Sequence, residues 1–213
     1  METLIAYKGD KKVKAKYLAR VKAHEKADEI VKGQYWQYGK GCAVGCTIEG
    51  SDHRKYETEL GIPIEIAYLE DTIFENLPNG EAKKFPAQFL SAIKVGADLS
   101  KVIPKIVIWQ FEDKKHGLRT IKEVADDTKV MGWCYKVVEL YRRRMDETIP
   151  VSEYNALYQE IARAGAGAGA WAWVVAGAWA GAWAGARAGA GAEYDERMLA
   201  LRDEFLRLLK ECK

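Results

Sequence analysis

Between residues 164 and 192 the chain consists of fourteen Ala, eight Gly, four Trp, two Val and one Arg, with no acid, Ser, Thr, Asn or Pro. A segment with so little side-chain variety has few ways to fold. At period two, Ala alternates with Gly or Trp, as in a strand with two unlike faces. At period four, Trp171, Val175, Trp179, Trp183 and Arg187 form one row and Gly177, Gly181, Gly185 and Gly189 form another. On a helix these rows make a bulky stripe beside a groove that admits a second backbone. The helix is the expected form, because β-branched residues are almost absent and both flanks read as helix. Ser152 offers an N-cap after Pro150, and Met198, Leu201, Phe205, Leu208 and Leu209 supply an apolar stripe.

Gly costs roughly 1 kcal/mol against Ala inside a helix, so eight of them oppose it by about 8 kcal/mol that packing must offset. An unbroken helix over 152–211 would be about 90 Å long. It must protrude, bend or pack against another copy, and the small-residue row leads to the expectation of a homo-oligomer joined through this helix. The uncharged stretch 164–186 also has the length of a membrane span. Ala and Gly are weakly apolar and no basic cluster flanks them, so a span is not expected.

The remaining sequence indicates a mainly α fold with little or no sheet: a helical body over 1–150 and a long Gly/Ala/Trp-rich helical arm over 151–213. Asp10 to Lys32 is amphipathic and ends at Gly33, with Val13, Tyr17, Val21, His24 and Val31 on one face. Further helices are predicted over 53–60, from Pro63 to just before Pro78, over 86–93, over 98–111 with a break at Pro104, and over 127–145. Only 2–7 and 105–111 look extended. Lys and Arg total 33 against 31 Asp and Glu, a net charge of +2, which argues against general nucleic-acid binding. The first residues lack a signal-peptide core. Cysteines at 42, 46, 134 and 212 are too sparse for a disulfide framework, so a cytoplasmic protein with reduced thiols is expected.

Chemistry concentrates in KGQYWQYGKGCAVGC, residues 32–46. Glycines at 39, 41 and 45 let backbone amides turn toward an anion, with Lys32 and Lys40 nearby. Tyr35, Trp36 and Tyr38 offer faces for a planar base. Phosphate and base together describe a nucleotide-like ligand, although neither the P-loop nor the dinucleotide pattern is present. The alternative is a tight turn with buried aromatic packing. Cys42 and Cys46 are four apart, but no second cysteine pair exists and His24, His53 and His116 are scattered, so neither a metal nor a cofactor is expected. A nucleophilic Cys42 or Cys46 with His24 or His53 as base is a further alternative. His24 otherwise reads as a hydrogen-bonded core histidine. Glu70 and Asp71 are adjacent on a helix and diverge by about 100°, so they are a weak acid/base pair.

The segments AKAHEKADEIVKG, GQYWQYGKGCAVGCTI, HRKYETELGIP, YLEDTIFENLP and AIKVGADLS, spread over residues 15–100, resemble a family of uncharacterised proteins of bacterial and tailed-phage genomes. The small-residue tail followed by a charged, Leu-rich helix also looks like that family. The resemblance implies a phage-associated accessory role and supplies no catalytic residues. It also implies that Lys32, Tyr35, Trp36, Gly39, Lys40, Gly41, Cys42, Gly45, Cys46, His24 and His53 form one functional neighbourhood. The leading expectation is a non-enzymatic protein that captures a small phosphorylated ligand, in its most specific form a phage sponge for a host nucleotide signal used in defence. In that reading Lys32, Lys40 and the 39–45 amides hold phosphate and Trp36 or Tyr35 holds the base. A Cys/His enzyme acting on a phosphorylated or acyl substrate and a structural interaction module are the alternatives.

Overall fold

The computed structural model describes residues 4–163 and 191–213. Ten α-helices and one two-stranded hairpin make up the regular structure among these residues, so the fold is mainly α. The chain divides into two compact units, one of residues 1–102 with 201–213 and the other of residues 103–200. The expected Gly, Ala and Trp rows, and the candidate membrane stretch, fall almost wholly outside the described residues. No helix among the described residues is long and apolar enough to cross a membrane.

In the first unit, α1 (Lys11–Lys26) starts at Asp10, whose carboxylate accepts the Lys12 amide at 2.7 Å. It stops well before Gly33: the chain leaves the helix through Asp28, with φ at +57°. The predicted longer helix fails because Ile30, Val31 and Gly41 are tied together as extended backbone. Val31 N donates to Gly41 O at 2.8 Å and Gly41 N to Glu29 O at 3.1 Å. Next come β1 (Trp36–Gln37) and β2 (Lys40–Gly41), then α2 (Ala43–Ile48), every residue of which is buried. Residues 53–60 form a turn followed by a short π-helical stretch (Tyr56–Leu60) where a helix from His53 was expected. The helix between the prolines is present as α3 (Ile64–Asn76), followed by α4 (Asn79–Ala82) and α5 (Phe85–Ala92).

α2 packs against α1, α3 and α5, so a six-residue helix sits at the centre of the unit. The last turns of the C-terminal helix complete the core. Leu201, Phe205, Leu208 and Leu209 are buried at helical spacing, and Phe205 stacks on Phe89 with centroids 5.7 Å apart.

The second unit starts within α6 (Val102–Glu112), which is helical through 105–111 and unbroken at Pro104. The expected extension and break are absent because Pro104 lies in the first turn, where its missing N–H has no helical acceptor to lose. Then come α7 (Lys122–Ala125), α8 (Thr128–Arg143) and α9 (Val151–Arg163), the last beginning one residue before the expected cap Ser152. α8 and α9 are joined by a Tyr141–Tyr154 edge contact and by ion pairs of Lys136 with Glu160 and Arg143 with Glu153. α10 (Gly191–Glu211) gives its first half to this unit. There the buried Arg197 donates to His116 O and Thr120 Oγ1 at 3.1 and 3.0 Å and pairs with Glu193.

Candidate functional site

The Gly-rich segment folds as a hairpin with a two-residue turn. Tyr38 and Gly39 both have positive φ, +52° and +80°, which a type I′ connection requires. Trp36 faces Gly41 and Gln37 faces Lys40 across the ladder. The hairpin lies directly on α2: a methyl group on Gly45 would stand 1.5 Å from the Tyr35 carbonyl oxygen, and one on Gly41 2.1 Å from it. These glycines serve backbone contact rather than ligand approach. Several of the amides expected to face an anion, those of Gly41, Cys42 and Gly45, are used inside the fold, as is that of Cys46. Gly41 N donates to Glu29 O, Cys42 N to Gln34 O at 2.7 Å, Cys46 N to Cys42 O at 2.9 Å and Gly45 N to Cys42 Sγ at 3.4 Å.

Alternation along the strand sends neighbouring aromatic residues to different histidines. Trp36 meets the His24 ring edge-on at 5.3 Å, and Tyr35 meets the His53 ring edge-on at 5.3 Å. The residues expected in one neighbourhood thus make two sets of contacts. In one, His24 Nδ1 lies 2.6 Å from Glu29 Oε2 and its Nε2 3.6 Å from Glu49 Oε1, with Arg20 also on Glu49 at 3.3 Å. His24 is thus a half-buried, hydrogen-bonded histidine. Cys46 closes this side, its thiol donating to Gly41 O at 3.3 Å and pushed up to about 12 by burial.

The other neighbourhood holds Cys42, His53, Asp71 and Glu75. α3 presents Tyr68, Asp71 and Glu75 at three- and four-residue spacing, so all three share one face. Ligand-type atoms of Cys42, Asp71 and Glu75 lie within 4.8 Å of one another. His53 Nε2 is 4.0 Å from Asp71 Oδ2, and its ring is stacked on Tyr68 with centroids 4.6 Å apart. The His53 side chain is buried, yet its Nε2 has no hydrogen-bond partner, and neither does Asp71 Oδ1. Leaving such atoms unpaired costs about 1–3 kcal/mol each.

Supporting contacts hold these groups in place. Gly33 N donates to both Glu75 oxygens, at 3.0 and 2.9 Å. The Lys32 ammonium donates to Leu77 O at the end of α3. Lys40 is exposed at the hairpin edge, where its charge reaches Asp28. Lys32 is thus engaged at the end of α3, while Lys40 lies at the exposed hairpin edge. Burial pushes the Asp71 and Glu75 carboxyls up. Burial, and then the adjacent Asp71, push the Cys42 thiol up, the opposite of what a nucleophilic thiol requires.

Asp71 and Glu75 were the residues hardest to find from sequence. Asp71 reads more naturally as a partner of Glu70, but Glu70 points into the core, where its Oε2 accepts the Tyr56 hydroxyl at 2.6 Å. The signal that was available is the i,i+4 pair Asp71 and Glu75. No protein family, curated protein or solved structure matches this chain.

Proposed function

We propose that this protein binds a divalent metal ion at the foot of the hairpin, between Cys42, His53, Asp71 and Glu75. The observation that carries the reading is the pair of buried, unpartnered atoms, His53 Nε2 and Asp71 Oδ1, beside a thiol and a second carboxyl. Two carboxyls held up by burial form a site short of positive charge, and a cation relieves both the missing partners and the mutual repulsion. Metal–ligand bonds of about 2.0–2.3 Å place ligand atoms roughly 3.3–3.8 Å apart. Cys42, Asp71 and Glu75, with ligand atoms within 4.8 Å of one another, therefore need to close up only a little, and His53, 4.0 Å from Asp71, must move in to join them.

The test is thermal melting of chelator-stripped protein with Zn2+, Mn2+, Mg2+ or Ca2+, and in parallel with inorganic phosphate or a nucleoside monophosphate. At least one cation is expected to raise Tm in wild type and to fail with Asp71→Asn. A saturating ion at 100 times its Kd stabilises by about 2.7 kcal/mol. Absence of any cation response overturns the proposal. A response to phosphate or nucleotide that Lys40→Ala removes would instead favour capture of a phosphorylated ligand, the role for which Lys40 remains available.

A further inference from the structure

The identity of the ion follows from the donor atoms, an inference that rests on the metal-binding reading above. We propose that Cys42 is a direct sulfur ligand in a closed Cys–His–Asp–Glu set. The site is then specific for a zinc-class ion held as a staple of the first unit, not for a magnesium- or calcium-class ion and not for an ion that performs a reaction. Carboxylates alone suit hard ions. Thiolate, imidazole and carboxylate converging on one point suit zinc, or cobalt in its place.

The backbone beside Cys42 offers its sulfur a close N–H group. Cys42 precedes α2 and its Sγ receives the Gly45 amide at 3.4 Å. Main-chain N–H groups directed at sulfur are the outer-shell support a metal thiolate uses. Glu75 has equivalent support from Gly33 N, and the His53 ring is held between Tyr35 and Tyr68. Cys42, Asp71 and Glu75 supply three donors, and His53 Nε2, outside that cluster but unpartnered and 4.0 Å from Asp71 Oδ2, is the fourth that the proposal draws in. Four protein donors complete a tetrahedral zinc shell and leave no position for water or substrate.

The donors come from three separate pieces of chain: the hairpin's exit, the turn at His53, and α3. Cys42 and His53 are 11 positions apart and His53 and Asp71 are 18 apart. One ion therefore ties the hairpin's exit, the turn at His53 and α3 to one another.

Cobalt(II) titration of chelator-stripped full-length protein tests this. The expected result is one ion per chain, with near-ultraviolet sulfur-to-cobalt charge-transfer absorption and intense visible bands of a tetrahedral ion. Zn2+ should displace the cobalt, and added azide should leave the spectrum unchanged. Cys42→Ser should lose the charge-transfer band and bind more weakly by over the roughly 10–100-fold that loss of an outer-shell partner costs. Because the wild-type spectrum itself reports sulfur ligation, a variant that does not fold leaves the test intact. Cobalt binding without the sulfur band overturns this inference and leaves the metal-binding reading standing. A spectrum that shifts with azide overturns the closed shell. A wild type that binds neither cobalt nor zinc overturns this inference, and binding of Mn2+, Mg2+ or Ca2+ in the same protein then decides whether the broader reading survives.

Discussion

Gly45 and Gly39 separate two meanings of glycine in one segment. At Gly45 an added methyl meets the Tyr35 carbonyl at 1.5 Å, and neither backbone can yield without moving the hairpin off α2. Gly45→Ala should therefore destabilise by about 2–4 kcal/mol. At Gly39 nothing lies within 4 Å of an added methyl and only the left-handed φ of +80° opposes it, so Gly39→Ala should cost about 1–2 kcal/mol. Denaturant unfolding of the two variants checks the order, and equal costs would mean that the contact with Tyr35 is looser than described. Glu70 provides a prediction in pH. Burial raises its carboxyl far above the ordinary range despite the Tyr56 hydroxyl bond, with Asp71 adding to the rise. Below the unfolded value near 4.3 both states are protonated and the contribution is complete. As pH rises, the unfolded chain releases the proton first and stability falls. Glu70→Gln removes that loss, so the Tm of the variant minus that of wild type should grow from pH 4 to pH 7. A difference that stays flat across this range would show Glu70 to be readily ionised.

The elements most legible in the sequence are those whose ends are set by covalent chemistry or a cap. α3 lies between Pro63 and Pro78, and α8 begins after Asp127, whose Oδ1 accepts the Lys129 and Val130 amides at 2.9 and 3.0 Å. Asp127→Ala should remove about 1 kcal/mol, read as earlier melting, and Asp127→Asn should recover most of it. The less legible elements are those whose form depends on distant partners. Nothing local tells that α1 stops at Lys26, because Val31 and Gly41, ten positions apart, bond to each other instead. The 105–111 stretch shows the reverse error: Ile106, Val107 and Ile108 favour strand by propensity, yet they lie in a helix with Ile106 buried. The hairpin was legible as a turn and as a concentration of chemistry. What the sequence does not reveal is that the Gly41 and Cys42 amides have acceptors within the fold, at Glu29 and Gln34. The resemblance groups His24 with His53, whereas in the structure His24 meets Trp36 and His53 meets Tyr35.

At the scale of the whole molecule, the proposed ion acts within one of two units. Cys42, His53, Asp71 and Glu75 all fall in the unit of residues 1–102 and 201–213. Among the described residues, the cluster draws no donor from the unit of residues 103–200, which has its own polar clasp, Arg197 on the carbonyl and hydroxyl groups of residues 116–120. A ligand that binds only the folded state stabilises the structure that must open to release it, and opening occurs in separate cooperative parts of a chain. Hydrogen–deuterium exchange of the full-length protein, stripped and then loaded with Zn2+, should show slower exchange at amides over 29–46 and 52–77. For each tenfold excess over Kd the opening free energy there rises by about 1.4 kcal/mol, a tenfold slowing of exchange. Amides over 128–143 should exchange at the same rate in both samples. Uniform slowing across 4–163 would mean that the chain opens as one cooperative body, and the staple would then bear on the stability of the whole protein.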